Sequence, residues 1–173
     1  MNVKIKRLSE HAVIPKYAKQ GDSGFDLVAI KDVIIEPGET KKIPVGLAFE
    51  IPEGYELQIR PRSGITSETK LRVQFGTVDS GYRGEVSVTV DNIEHVRYSS
   101  QPRIMQGIFA GDNDFNVVKP TLTHFPKVNK GDRIAQGVIA PVIQATFEET
   151  NELNETERGE NGHGSTGIKE RDC

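Results

Sequence analysis

The amino-acid sequence predicts an all-β fold, a barrel or jelly-roll-like sandwich, from two patterns. Apolar and polar residues alternate over short segments, as at 55–60 and 86–90, which is typical of half-buried strands. Turn signals rich in glycine and proline recur at short intervals, and no long segment has the 3.6-residue apolar period of a helix. Many short strands joined by turns are the pattern of closed or layered β folds.

The individual elements follow from the same patterns. We expect strands, in chain order, at 33–35, 42–51, 55–60, 86–90 and 134–143. A short helical turn is predicted at 65–71, with Ser63 as its cap. Pro141 lies in the last apolar run and, because it has no N–H to donate, predicts an edge or a bulge there.

The chain is predicted to be one domain with an insertion and a tail. Residues 1–147 form the β domain, in which the glycine- and proline-containing stretch 92–127 is predicted to be an insertion. Residues 148–173 are predicted to be a flexible tether followed by a glycine-rich lid. The acidic stretch that begins this tail has almost no apolar groups to bury, so burial cannot offset the cost of ordering it.

Composition excludes several classes of function. The net charge is −3 with both signs interspersed, so no basic face predicts nucleic acid as a partner. No apolar run approaches the ~20 residues that a membrane helix needs, and no secretory signal is recognised at the start. The lone cysteine, Cys173, cannot form a disulfide within the chain, which favours a cytoplasmic location.

The segment 76–85 (GTVDSGYRGE) is the strongest indication of chemistry. Its glycines allow the backbone to approach a ligand and to present N–H and C=O groups to it. Asp79 can take a proton from water, and the Tyr82 ring can form the wall of a pocket. The loop therefore predicts a small-molecule site with its own base. Taken alone, Asp79 is better explained as a turn residue, because Asp-Ser-Gly is a good turn sequence.

Two further segments are candidate anion sites. Arg62, Ser63 and Gly64 follow a strand and open a helical turn, so backbone N–H groups and a guanidinium can converge on a phosphate. The alternative is a solvated arginine beside an ordinary helix cap. The tail segment 158–167 offers glycine N–H groups, hydroxyls and Arg158, and its alternative is a frayed terminus.

Asp26 and Gln136 are weaker candidates when taken singly. Taken singly, Asp26 is better explained by hydrogen bonds to backbone, and Gln136, within an apolar strand, needs either a buried partner or a ligand. The histidines have no metal-ligand spacing. Neither a Ser-His-Asp arrangement nor a nucleophilic cysteine supports covalent catalysis.

Five segments, taken together, resemble the five ordered motifs of the trimeric dUTPases. They are 23–27 (SGFDL), 61–64 (PRSG), 76–85 (GTVDSGYRGE), 131–136 (GDRIAQ) and 158–167 (RGENGHGSTG). Each motif is weak alone, but all five in order are very specific. The resemblance implies a distorted jelly-roll-like barrel, a homotrimer with a flexible C-terminal arm, and three active sites at the subunit interfaces.

The resemblance also implies the reaction, which is Mg²⁺-assisted hydrolysis of dUTP to dUMP and pyrophosphate. Asp79 becomes the general base for the water that attacks the α-phosphorus, and Gln136 helps to place that water. Asp26 reaches the magnesium through its water shell, while substrate phosphates hold the ion directly. Attack on phosphorus needs positioning, charge neutralisation and a base more than a covalent intermediate.

The implied substrate contacts carry over motif by motif. The uracil edge pairs with the backbone of Gly76, Thr77 and Val78. Tyr82 lies against the deoxyribose and excludes a 2′-hydroxyl. The α- and β-phosphates are held by Arg62, Ser63 and Gly64. The lid that closes over the γ-phosphate at a neighbouring subunit's site contains Arg158, Gly164, Ser165 and Thr166.

The chain departs from the family in two places. His163 stands in the lid where the family usually has a phenylalanine over the uracil, so its smaller apolar area predicts weaker or pH-sensitive closure. The stretch between Glu85 and Gly131 is longer than in compact members and resembles the extra segment of some phage-encoded dUTPases. This insertion is either a tolerated surface loop or a docking surface for a repressor or another protein. Its candidate anchors are Tyr98, Ile104, Met105, Ile108 and Phe109.

Two other functions are alternatives. The dCTP deaminases share the fold and resemble this chain around the aspartate loop, but they use a glutamate downstream where this chain has Thr89. A regulatory protein would hold nucleotide without turnover. The presence of both the Asp79 base and the lid favours catalysis over that second alternative.

Overall fold

The computed structural model of the chain describes residues 1–94 and 127–161. These residues form short strands and one short helix, so the predicted all-β class is confirmed. In chain order the elements are β1 (Lys4–Arg7), β2 (Phe25–Val28), β3 (Val33–Ile34), β4 (Thr40–Pro44), β5 (Leu47–Glu50), β6 (Tyr55–Arg60), α1 (Ser63–Glu68), β7 (Leu71–Val73), β8 (Gly76–Val78), β9 (Ser87–Asn92), β10 (Lys127–Val128) and β11 (Arg133–Pro141). No helix in the described part of the chain is long and apolar enough to cross a membrane.

The strands form four small antiparallel sheets. Two are strand pairs, β1 with β5 and β3 with β10. A three-stranded sheet has the order β4–β9–β7, and a four-stranded sheet has the order β2–β11–β6–β8. Most neighbours in these sheets are distant in sequence, as is typical of jelly-roll connections.

Strand alternation determines which side chains form the core. In β6, Leu57 and Ile59 are buried between more exposed neighbours, and in β9 Val88 and Val90 are buried on either side of the half-buried Thr89. The fully buried aliphatic side chains of the core include Leu27, Ile35, Ile43, Leu47, Leu57 and Ile134. Burying each such side chain contributes about 1.5–3 kcal/mol, which is what holds these small sheets together.

Strand β11 lies in the interior of the four-stranded sheet. Gln136 in β11 is paired with Asp26 of β2 on one side and with Arg60 of β6 on the other. A Cβ on its neighbour Gly137 would lie 2.5 Å from the Phe25 Cε2, so the packing leaves no room for a side chain there. The sheet therefore brings two of the predicted motifs into one row of residues, next to the residue that precedes the motif at 61–64.

The edge predicted from Pro141 exists only at that end of β11, and the bulge lies elsewhere in the strand. β11 is not an edge strand, and its register shift, a bulge, lies between Arg133 and Ala135 instead. Pairing with β2 ends at Gly137, however, so at Pro141 the strand is paired only with Tyr55 of β6. Proline is tolerated where one side of a strand has no ladder.

Two other predicted elements are corrected. The run 42–51 is two strands, because the chain turns between β4 and β5 at Gly46, whose φ is 68°. The helix spans Ser63–Glu68, and its N-cap position is Arg62, with extended backbone and no side-chain cap hydrogen bond. Ser63 is therefore the first helical residue and not the cap, which leaves its hydroxyl available for another partner.

Asn92 closes β9 at the point where the chain leaves for the predicted insertion. It is the buried polar residue of the described part of the chain, with 1% of its surface exposed. Its Nδ2 donates to the Ile35 carbonyl at 2.9 Å, and its Oδ1 accepts from the Glu94 N–H at 3.0 Å. Both ends of the amide are thus satisfied, as burial requires.

The chain divides into two units, residues 1–143 and 144–173. In the first unit, Asn92 and Lys127 belong to strands. The strand framework therefore includes both ends of the predicted insertion 92–127. Residues 95–126 lie outside the described part of the chain. In the second unit, residues 144–161 are exposed and contain no helix or strand.

Gly46→Ala is expected to destabilise the fold. A Cβ at this position would lie 3.0 Å from the Ala12 Cβ and 3.1 Å from the Ile30 Cγ2. The left-handed backbone costs about 1–2 kcal/mol for an alanine and overpacking about 1–3 kcal/mol. Urea denaturation should show a loss of roughly 2–5 kcal/mol in the free energy of unfolding.

Gly54→Ala is the matched control for this experiment. Gly54 has a φ of 79°, but a Cβ there would meet nothing within 4 Å. Its loss should be limited to the backbone term of about 1–2 kcal/mol. Equal losses in the two variants would show that packing around Gly46 contributes nothing.

Candidate active site

Two cavities in the first unit contain most of the predicted site residues. The first, which we call the arginine cavity, has a volume of about 360 Å³ and is lined by residues that include Asp26, Arg62, Ser63, Gly64, Arg133 and Gln136. The second, the aspartate cavity, has a volume of about 350 Å³ and is lined by residues that include Gly76, Val78, Asp79, Tyr82, Lys42 and Thr89. Both volumes are within the range of small-molecule sites.

An ionic network forms one wall of the arginine cavity. The Arg62 Nε lies 3.0 Å from the Asp26 Oδ1, and the Arg133 Nη1 lies 3.4 Å from the Asp26 Oδ2. Arg62 also donates from Nη1 to the Arg133 carbonyl at 2.7 Å. Two guanidinium groups face one carboxylate, so the wall carries excess positive charge and suits an anion.

Gln136 connects β11 to the segment that carries Arg62. Its Nε2 donates to the Pro61 carbonyl at 2.9 Å. This is the partner that a glutamine within an apolar strand requires. The Oε1 faces Gly24, where a Cβ would lie 2.9 Å away. The absence of a side chain at Gly24 therefore leaves room for the carboxamide.

The Asp79 carboxylate is exposed at the aspartate cavity. The backbone oxygen of Asp79 accepts from the Tyr82 N–H at 3.0 Å, so the residue does begin a turn, as one interpretation predicted. Within the described residues, its side chain takes part in no hydrogen bond or ion pair. The carboxylate oxygens are thus available to a water molecule or a ligand.

Hydrogen bonds and packing hold the second half of the loop, residues 82–85, in place. The Tyr82 hydroxyl donates to the Glu85 carbonyl at 3.1 Å. The Tyr82 ring lies over Gly84, where a Cβ would be 2.6 Å from the ring Cζ. The Glu85 Oε1 in turn accepts from the Gly46 N–H at 3.0 Å. The ring is therefore fixed at the cavity through bonds that reach the core.

Strand β8 is the edge of its sheet. Gly76, Thr77 and Val78 pair with β6 on one side, and no strand of the described part pairs with them on the other. An edge strand presents N–H and C=O groups with nothing to bond. These groups border the aspartate cavity and can pair with a flat, polar ligand.

Asp79 and Arg62 follow opposite ends of the β6–β8 pair. Val78, which precedes Asp79, is paired with Leu57, whereas Gly76 is paired with Ile59. Leu57 and Arg60 are separated by about 10 Å along the strand, and Arg62 lies beyond Arg60. Asp79 and Arg62 of the same chain therefore belong to different cavities.

Asp91 fixes the strand that borders the aspartate cavity. Its carboxylate accepts from the Thr40 hydroxyl at 2.6 Å and from the Gln74 amide at 2.9 Å. The Thr40 hydroxyl first, and then the Gln74 amide, hold the pKa of Asp91 below its ordinary value. Gln74 is thereby held where β7 leads into β8.

Several predicted site residues are not placed in either cavity. Arg158 belongs to the second unit, where its Nε donates to the Asn161 carbonyl at 3.1 Å within an exposed turn. The lid residues His163, Gly164, Ser165 and Thr166 lie outside the described part of the chain. So do the candidate anchors Tyr98, Ile104, Met105, Ile108 and Phe109.

Sequence reasoning missed residues in both cavities. Lys16 and Arg133 line the arginine cavity, and Lys42 and Ser87 line the aspartate cavity. Arg133 lies within the GDRIAQ segment, so that motif could have identified it. No sequence pattern identifies Lys16 and Lys42, because their positions at the cavities depend on which strands pair.

The side chains of the arginine cavity suit a divalent cation that keeps its water shell better than a cation that they would ligate directly. The described residues contain no group of three or more acidic, histidine or cysteine side chains that could hold a metal. Asp26 is a single carboxylate near two guanidinium groups, and its oxygens retain lone pairs for water. Mg²⁺ keeps several of its waters and binds through substrate phosphates, which suits this donor set.

Comparison with known proteins agrees with this geometry. The chain matches the dUTPase family over residues 10–124 and 115–167. It is 44% identical over 169 residues to the deoxyuridine 5′-triphosphate nucleotidohydrolase of Nautilia profundicola, covering 96% of this chain and 99% of that one. It is 39% identical over 169 residues to the corresponding protein of Clostridioides difficile, covering 96% and 99%.

Solved structures of phage proteins are also similar. The dUTPase of Staphylococcus bacteriophage 80α with dUPNHPP has a TM-score of 0.78 and 30% identity, covering 96% of this chain and 99% of that one. The dUTPase from phage phi11 of S. aureus, whose structure shows a species-specific insert, has a TM-score of 0.72 and 28% identity, covering 90% and 100%. With these matches along nearly its whole length, the chain belongs to the dUTPase family.

Proposed function

We propose that the protein hydrolyses dUTP to dUMP and pyrophosphate. The observation that carries this proposal is the exposed Asp79 carboxylate, unengaged within the described residues, beside a tyrosine ring and an unpaired strand edge. Family membership supports the same reaction. Asp79 takes a proton from the water that attacks the α-phosphorus, and no covalent intermediate is needed.

The strand edge of β8 accounts for recognition of the base. Uracil has alternating carbonyl and N–H groups on its pairing edge, and the backbone of Gly76–Val78 offers the same kinds of group. Tyr82 lies against the deoxyribose, where its fixed ring leaves no space for a 2′-hydroxyl. Selection of the base thus depends on hydrogen bonds to the strand backbone, and selection of the sugar depends on the shape of the pocket at Tyr82.

The arginine cavity accounts for recognition of the phosphates. Arg62 is held in place by Asp26, and Ser63 and Gly64 line the same cavity without a capping role. Mg²⁺ supplies charge neutralisation of the phosphates when bound, and Asp26 reaches it through water. Gln136 positions the Pro61–Gly64 segment and helps to place the attacking water.

A complete site requires two copies of the described domain. Asp79 and Arg62 lie at opposite ends of the β6–β8 pair, so one copy supplies the nucleoside half and another the phosphate half. The homotrimer that is characteristic of the family meets this requirement with three equivalent interfaces. The lid residues Arg158 and Ser165 close over the γ-phosphate in this assembly.

The competing functions have less support. The position where deaminases carry a glutamate is occupied by Thr89, which lines the aspartate cavity and cannot shuttle a proton as a carboxylate does. A protein that only holds nucleotide has no need of an unengaged carboxylate at that cavity. Pyrophosphate release from dUTP, compared with dCTP, dTTP and UTP, separates all three functions.

Asp79→Asn should abolish turnover and leave binding intact. The amide occupies the same space but cannot accept the proton, and loss of a general base costs about 10²–10⁴ in rate. We expect kcat to fall by that factor while the Kd of a non-hydrolysable dUTP analogue changes by less than about threefold. Retained pyrophosphate release would remove Asp79 as the base.

Mixing two inactive variants tests whether sites are shared between copies. Asp79→Asn and Arg62→Ala are each expected to be nearly inactive alone. After co-refolding in equal amounts, every mixed trimer contains one site with both residues intact, so about a quarter of wild-type activity should return. If each copy contained a whole site, the mixture would stay as inactive as its components.

We propose that the insertion has a second role, the binding of another protein. The proposal rests on the length of the insertion and on its apolar residues. The phage phi11 dUTPase has a species-specific insert, and this chain has an insertion at 92–127 with Tyr98, Ile104, Met105, Ile108 and Phe109 as candidate anchors for a repressor or another protein. Both ends of the insertion belong to paired strands, so the framework does not depend on its interior.

Deleting residues 95–122 should therefore leave hydrolysis of dUTP unchanged. The same deletion should abolish binding to any repressor that the full-length chain retains in a pull-down. Circular dichroism and a thermal melt provide the folding control. Loss of folding would contradict a dispensable insertion, and retained repressor binding would contradict the docking role.

A further inference from the structure

We infer that Lys42 is a substrate-specificity residue, whose ammonium group donates a hydrogen bond to a carbonyl oxygen of the uracil ring. The inference rests on the proposed function and adds a side-chain contact to the backbone recognition described above. It depends on the position of Lys42 in the sheet, on the charges around the aspartate cavity and on the direction in which a nucleotide must lie there.

Strand alternation places Lys42 at the aspartate cavity. In β4 it is paired with Thr89 of β9, and both residues line the cavity. The adjacent Lys41 is on the other face of the strand, where its Nζ lies 2.9 Å from Glu39 and donates to the Ile34 carbonyl at 2.8 Å. The two neighbouring lysines therefore have different environments, and only one belongs to the cavity.

Lys42 has no partner in the part of the chain that the structure describes. It takes part in no ion pair within 4.0 Å there and in no hydrogen bond, although the cavity lining also contains Asp79 and Glu85. Glu85 is already engaged by the Gly46 N–H. Lys42 is the one cation among the residues that line this cavity in the described part. An ammonium group has three donors and no acceptor, so its partner must be an acceptor.

The direction of the loop decides which part of the nucleotide Lys42 meets. The Gln74 N–H donates to the Thr89 carbonyl at 2.9 Å, so Thr89 lies beside the start of the segment from Gln74 to Asp79, and Lys42 is paired with Thr89 across the next strand. Asp79 lies at the far end of that segment and marks the position of the α-phosphorus. A base bound along Gly76–Val78 lies on the side of the cavity away from the phosphorus, and Lys42 and Thr89 line that same cavity. The acceptors of the base there are the uracil carbonyl oxygens.

The test compares Lys42→Met with Lys41→Met as the matched control. Removal of a hydrogen bond from a charged group should raise the KM for dUTP about tenfold, while kcat stays within about twofold. Lys42→Arg keeps a cationic donor and should recover most of the loss. Lys41→Met, on the opposite face, should have wild-type kinetics, and thermal melts should show that all three variants are folded.

Binding measurements distinguish a base contact from a phosphate contact. The Kd of dUMP should rise about tenfold in Lys42→Met, whereas the Kd of inorganic triphosphate should not change. A change for triphosphate, or an unchanged KM for dUTP, would overturn the inference. Failure of the proposed function is a separate result, because a wild-type protein that releases no pyrophosphate from dUTP can still be tested for dUMP binding.

Discussion

The pairing of β11 between β2 and β6 is the constraint on which the phosphate half of the site depends. It aligns Asp26, Gln136 and Arg60 in one row. From that row the chain continues to Arg62, which Asp26 holds by an ion pair, and Gln136 bonds the intervening Pro61 carbonyl. A residue inserted into any of these strands would shift the row and separate the guanidinium from its carboxylate.

The nucleoside half depends on a different principle, an unpaired strand edge. Sheets usually protect such edges because they invite association with other chains. Here the edge of β8 borders a cavity, with Tyr82 fixed beside it. In the proposed function, the same exposed groups that would favour aggregation elsewhere serve as a template for one flat ligand. Because the two proposed halves line different cavities of one chain, that function makes assembly and substrate recognition a single requirement.

Much of this was predictable from sequence, and the failures have physical causes. Alternation in β6 and β9 identified strands and core because each buries one face. Motif order predicted Asp79, Arg62 and Gln136 as site residues, since glycine-rich loops and polar residues in apolar strands are local signals, and each of the three lines a cavity. The helix cap at Ser63 was wrong because the extended backbone of Arg62 takes the cap position. Sequence periodicity did not identify Lys42 and Lys16, because their places at the cavities depend on long-range strand pairing.

The bond between Glu85 and the Gly46 N–H ties the proposed substrate loop to a closely packed turn of the domain. Under the proposed function, ligand affinity and fold integrity are therefore coupled at this point. A mutation in the packing around Gly46, remote from any nucleotide, would reach the tyrosine ring through one carboxylate. Mild destabilisation of this turn would be observed as weakened substrate recognition before the protein unfolds.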